Sequence, residues 1–150
     1  MSFENVETFI ASGNVVFELK TKNVESIKKK LEIELERSLG YRLATFIRTT
    51  KELKEISEYK PFKELDLNDA QNYLYIGFLD NQPDKESQKK VLLLSDKANE
   101  FSFNKGELYW LCRKNFSDSG ISGKTLEKAL GTETTIRNST TIRKMAAKFS

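Results

Sequence analysis

The chain of 150 residues has no histidine, one cysteine, two prolines and one tryptophan. Without an imidazole, no Ser-His-Asp or Cys-His machinery can operate, because both need a base that titrates near neutrality. With one thiol and no imidazole, a zinc site of the usual Cys/His kind is excluded as well. Cys112 has no partner for an intrachain disulfide, which fits a reducing compartment. No run approaches the roughly 18 apolar residues that span a bilayer. The first twenty residues carry Glu4, Glu7 and Glu18 and no basic leading region, so they do not read as a signal peptide. A cytoplasmic location without membrane attachment is expected. Catalysis, if any, falls to carboxylates, Lys, Arg, Tyr or Cys112, and no cofactor is expected.

Charge is plentiful (31%) but unevenly placed, within a net of +3. Residues 1–70 hold 12 Lys+Arg against 13 Asp+Glu, whereas residues 113–150 hold 8 against 3, a net of +5. The C-terminal quarter is therefore a candidate surface for an anionic partner, a nucleic acid or a phosphorylated metabolite. Solvated helical lysines would give the same tally.

Local patterns set out an α+β chain. Val6–Ile10 and Val15–Leu19 are β-branched and aromatic runs separated by Ala11-Ser12-Gly13-Asn14, a hairpin with Asn14 expected in the left-handed region. Asn23 can cap a helix with Val24, Ile27, Leu31 and Leu35 on one stripe, ending at Gly40. Leu43–Ile47 reads as a strand, and Thr49-Thr50-Lys51-Glu52 as a capping box opening a short helix. After a join at residues 61–70 come a strand at Tyr73–Leu79, a helix after Asp84, a hairpin around Asn104-Lys105-Gly106, a helix from Ser122 or Gly123 to Gly131, a strand near Thr134–Ile136, and a last helix capped by Asn138 or Ser139. Residues 70–150 thus follow β-α-β-β-α-β plus a helix, the ferredoxin-like order. Residues 1–69 match that order if they lack its opening strand and helix. The expected fold is two ferredoxin-like halves, the first incomplete.

Several constellations bear on chemistry. Gly123-Lys124-Thr125 is similar to the end of a P-loop, but Asp118 stands where that motif requires glycine, and the approach loop is long; a nucleotide-hydrolysing P-loop is rejected. Lys124 remains a candidate anion contact at a helix start, with capping as the plainer reading. Arg137 and Asn138, with Thr141 three residues on, could grip a phosphate or carboxylate, or could be an ion-paired arginine and an N-cap. Convergence of Lys124 and Arg137 with Arg143 and Lys144 would make one anion pocket. Arg48 ends the expected strand and could serve a site or pair with a glutamate of the following helix. Asn14 could touch a ligand or simply turn the chain. Cys112 alternates with Leu108 and Trp110 and reads as core. Tyr73, Tyr75, Tyr109 and Trp110 could stack on RNA bases, or fill the interior.

Thr8–Phe17, Arg48-Thr49 with Glu52-Leu53, Pro61-Phe62, Lys124 with Leu126, and Arg137-Asn138 with Thr141 together resemble a bacterial family, domain of unknown function 1697. The resemblance covers essentially the whole chain and brings no activity with it. Family members generally begin with a further strand, a glycine-containing turn and a helix before the point where Met1 stands. In addition, Ser139 stands where an aromatic residue often follows the Arg-Asn pair. The resemblance thus implies that Leu43–Ile47 loses a neighbour and that sheet edges lie open. Either a longer chain starts upstream of Met1, or a second copy supplies the strand and makes a homo-oligomer. Three functions stay open: a non-enzymatic binder of an anionic ligand, a small enzyme using a carboxylate or lysine, and a protein that pairs through its open sheet edge.

Overall fold

A computed structural model describes residues 4–8, 13–20, 23–113 and 120–149. Phe9, Ile10, Ala11 and Ser12 of the first expected hairpin, Lys114 beside Cys112, and Asp118 and Ser119 of the loop before Lys124 lie outside these residues. The chain divides into two compact units, Met1–Ile47 and Arg48–Ser150.

In the first unit, β1 (Glu4–Thr8) and β2 (Val15–Glu18) pair antiparallel, with Thr8 opposite Val15. Among the described residues of the connection, Gly13 is left-handed, at φ 80°, and Asn14, which the sequence suggested, is not. Glycine accepts that conformation with no Cβ penalty, so the asparagine is spared it. Helix α1 (Val24–Leu39) is capped by Asn23, whose side chain accepts from the Ser26 N–H at 3.1 Å, and it closes on Gly40 at φ 80°. Its Val24, Ile27, Leu31 and Leu35 stripe is the shielded one, while Ile33 and Leu39 are exposed.

The strand expected at Leu43–Ile47 is not formed. Residues 43–47 join no ladder, and among the described residues the first unit holds only the β1-β2 pair. The Thr45 N–H, which a ladder would have used, donates to Glu32 Oε1 at 3.1 Å, and the Thr45 hydroxyl reaches the same oxygen at 3.2 Å. A β-rich sequence becomes a strand only where a neighbour accepts its hydrogen bonds; here a side chain satisfies the donor.

The second unit opens with α2 (Thr50–Glu58), whose capping box is complete: Thr49 accepts from the Glu52 N–H at 3.1 Å and Glu52 accepts from the Thr49 N–H at 2.7 Å. Next come the short α3 (Glu64–Leu67), β3 (Tyr73–Phe78), α4 (Lys85–Leu92), β4 (Asn99–Asn104), β5 (Glu107–Cys112), α5 (Gly123–Leu130), β6 (Thr135–Asn138) and α6 (Ser139–Phe149). Helix α2 packs against α6 and therefore belongs to this unit, whereas the sequence reading had grouped it with residues 1–69. Asp84 caps α4 by accepting from the Ser87 N–H at 2.7 Å, and that bond holds its carboxyl below the usual range. Ser122 caps α5 in the same way at 3.1 Å.

The strands form one four-stranded antiparallel sheet in the order β4-β5-β3-β6. Side chains alternate across it. One face carries Tyr75, Leu79, Phe101, Leu108, Trp110, Cys112 and Ile136 into a core with Val91 of α4 and Leu126 and Leu130 of α5. Cys112 is fully buried there, as expected of a small hydrophobe. The other face carries Ile76, Tyr109 and Arg137, aligned across β3, β5 and β6, and is covered by α6 with α2 packed on it.

Under that second face sits a polar cluster. Arg48, the first residue of the unit, donates to the Leu79 carbonyl at 2.7 Å, to the Gly106 carbonyl at 3.2 Å and to Glu107 Oε2 at 3.2 Å, and lies 5.4 Å from the centre of the Phe78 ring. Tyr109 lies close by, its ring 5.0 Å from that of Tyr59, and its buried hydroxyl, near the Asn104 side chain, makes no well-formed hydrogen bond. Burial pushes the Tyr109 phenol far above its ordinary range, and the Glu107 carboxylate and Tyr59 add to the effect. An unsatisfied buried hydroxyl costs about 1–3 kcal/mol. Tyr109→Phe is therefore expected to hold or raise stability in urea unfolding. A loss above about 1 kcal/mol would show that the hydroxyl is satisfied after all.

Candidate binding cleft

A cleft of about 580 Å³ opens in the second unit between the end of α2, α3, the start of β3 and the β6-α6 junction. Each wall follows from a local stop signal. Pro61 follows the end of α2 and has no N–H to continue it, so Tyr59 and Lys60 are left at a helix end. Tyr73 begins β3 and is 39% exposed. Asn138 ends β6 and starts α6, its side chain accepting from the Thr140 N–H at 2.9 Å. That bond is the N-cap reading of Asn138, and it presents Asn138, Ser139, Thr140 and Arg143 to the cleft.

The charges of the lining are sparse and partly paired. Lys60 bonds Glu64 at 2.6 Å, and this ammonium holds the Glu64 carboxyl below its usual range. Arg143 reaches the Thr140 hydroxyl at 3.4 Å and has no carboxylate within ion-pair distance among the described residues. Glu58, Asn68 and Asn72 complete the polar lining, with the Asn72 amide donating to the Asp66 carbonyl at 3.0 Å.

Of the residues singled out in the sequence, Tyr73, Asn138, Ser139 and Arg143 line this cleft. Arg48 donates to Glu107 and to two carbonyls inside the unit, so one partner is a hairpin carboxylate. Arg137 is half-buried and donates to the Thr135 hydroxyl at 2.7 Å and the Ile136 carbonyl at 3.0 Å; desolvation lowers its pKa. Lys124 is exposed near the start of α5, on the face opposite the Arg137 side chain. Lys124 and Arg137 therefore do not meet, and the four-cation pocket is not assembled. Thr141 is half-buried on α6 and outside the lining, and Asn14 belongs to the first unit. Sequence reasoning passed over Tyr59, Asn68 and Asn72, whose only signal was their position beside Pro61 and at the entry to β3.

No group of three or more His, Cys, Asp or Glu side chains could hold a metal ion among the described residues. Nor is any helix there long and apolar enough to cross a membrane.

These features define an α+β protein with a four-stranded antiparallel sheet and a polar cleft at one end of it. The chain belongs to the family described as protein of unknown function DUF1697, whose model matches residues 1–109. Among solved structures, a conserved bacterial protein from Streptococcus pneumoniae is similar over 98% of this chain and 81% of its own, with 17% identity and a TM-score of 0.73. At that identity the likeness speaks for the fold alone. No curated protein matches the chain.

Proposed function

We propose that the chain is a non-enzymatic binding module for an anionic ligand, which enters the cleft at the β6-α6 junction. The observation that carries this reading is Arg143, a cation of the basic C-terminal quarter, in a cleft wall with no carboxylate partner among the described residues. An arginine fork suits a phosphate or carboxylate. The volume, about 580 Å³, lies within the range of small-ligand sites. The groups that burial perturbs most, Glu107, Tyr109 and Arg137, lie outside the lining, which favours binding over acid-base catalysis.

The framework we infer is ferredoxin-like in residues 70–150, on the strength of the β-α-β-β-α-β order and the β4-β5-β3-β6 sheet. The tandem arrangement, with residues 1–69 as an incomplete first copy, and a cytoplasmic setting complete this reading. A second reading, self-association through an open edge, is favoured by β4 and β6, which each have one sheet neighbour among the described residues. It predicts a mass that rises with concentration in light scattering, and a monomer throughout would remove it.

Calorimetric titration with pyrophosphate tests the main proposal. Binding is expected to weaken with added salt, and Arg143→Ala to weaken it about tenfold or more, since a charged hydrogen bond contributes about 1.5–3 kcal/mol. Lys124→Ala, on the far face of the sheet, is expected to change nothing. Equal loss in the two variants would point to diffuse charge and overturn the assignment of the cleft.

A further inference from the structure

We propose that the ligand of this cleft is a monocarboxylic acid with an apolar tail, its carboxylate held by Arg143 and the Ser139 hydroxyl; the inference rests on the binding reading above.

The sheet register brings the parts together. Arg137 pairs with Ile76 and Asn138 with Tyr75, so the chain leaves β6 level with Leu74. Leu74 and Ile76 alternate with Tyr75 and share the face of β3 on which the cleft opens. Ser139 and Arg143 stand one turn apart on the same side of α6, and both line the cleft. Helix α6 packs on β3 and on α2. Ser139 is 5% exposed, and its hydroxyl makes no hydrogen bond with another described residue. Its donor is therefore left for a group that enters the cleft.

The residues around this pair are largely apolar. Ile76 is 1% exposed and Ile56, from α2, 5%, and Leu74 lines the cleft with them. Tyr59 belongs to the same side of the sheet. Its ring lies 5.0 Å from that of Tyr109, which stands directly across from Ile76. A ligand polar throughout would lose hydration against these carbon surfaces, whereas an aliphatic tail gains by covering them.

Charge selects a carboxylate over a phosphate. The cations of the lining are Lys60 and Arg143, and its anions are Glu58 and Glu64. Lys60 is already bonded to Glu64. A phosphate dianion would bring two negative charges beside these glutamates. A single carboxylate matches one guanidinium fork, with the Ser139 hydroxyl donating to one of its oxygens.

The experiment is calorimetric titration of the full chain with acetate, butanoate, hexanoate and octanoate, and with octan-1-ol, octylamine and pyrophosphate for comparison. Affinity is expected to rise about fourfold for each methylene added to the acid. Octan-1-ol and octylamine keep the tail without the negative charge and are expected to bind about tenfold more weakly than octanoate, or worse. Ser139→Ala and Arg143→Ala are each expected to weaken octanoate about tenfold while leaving the gain per methylene unchanged. A thermal melt of each variant verifies its fold. If all the acids bind equally, or if pyrophosphate binds more tightly than octanoate, the assignment falls while the anion site stands. If octan-1-ol matches octanoate, or Ser139→Ala has no effect, the carboxylate contact is overturned. If nothing binds, both readings fall.

Discussion

Arg48→Met is expected to destabilise the second unit by about 3–5 kcal/mol at neutral pH, the cost of leaving a buried charge uncompensated. Glu107 is 7% exposed and would lose the guanidinium bonded to it, while the Leu79 and Gly106 carbonyls would lose a donor. The double variant Arg48→Met/Glu107→Leu removes both charges and is expected to recover much of the loss, because apolar replacements of buried ion pairs are often neutral. Urea unfolding followed by circular dichroism reads both. A single-variant loss below about 1 kcal/mol would place the pair in the class of exposed ion pairs.

The same pair sets a pH dependence. Burial raises the Glu107 carboxyl above its ordinary 4.5, with Arg48 opposing the rise. Folded, the group then holds its proton more tightly than unfolded. Its contribution favours folding at low pH and is lost as pH climbs from about 4.5 through the raised value. Arg48→Met removes the opposing cation, so that fall is expected to deepen and to extend to higher pH. Glu107→Gln is expected to abolish it.

Trp110→Ala is expected to destabilise by a similar amount, about 3–5 kcal/mol. The indole is 1% exposed, with Tyr75 at 5.4 Å and Phe101 at 5.7 Å between ring centres. Its N–H donates to buried Asn99 Oδ1 at 2.9 Å, a bond the truncation would remove. Trp110→Phe keeps most of the ring volume but removes the same bond, and it is expected to cost about 1–3 kcal/mol. The difference between the two variants in thermal and urea unfolding separates packing from hydrogen bonding. Equal losses would assign the whole effect to the Asn99 bond.

The sequence was most legible where cause and effect lie a few residues apart. The caps at Asn23, Thr49, Asp84 and Ser122 each depend on a side chain and an amide three positions on, and all four form. Leu43–Ile47 failed because strand propensity is a preference for a half-buried pleated surface, and only a neighbouring strand provides one. The cleft was hidden for a related reason. Its walls come from residues 56–76 and 138–143, which no periodicity connects. Arg48 shows both limits: its position before a helix was evident, but its partner stands 59 positions away.

That separation has a consequence for how the protein is made. A ribosome adding about 5–20 residues each second needs roughly 3–12 s to pass from Arg48 to Glu107. During that interval α2 can form on its own capping box, but the guanidinium has no carboxylate to close on, and the sheet that would shelter it does not yet exist. The second unit therefore cannot be completed from its N-terminal end as it emerges. Its first residue is among the last to be fastened, and a pause in translation before the β4-β5 hairpin would leave α2 waiting in solvent.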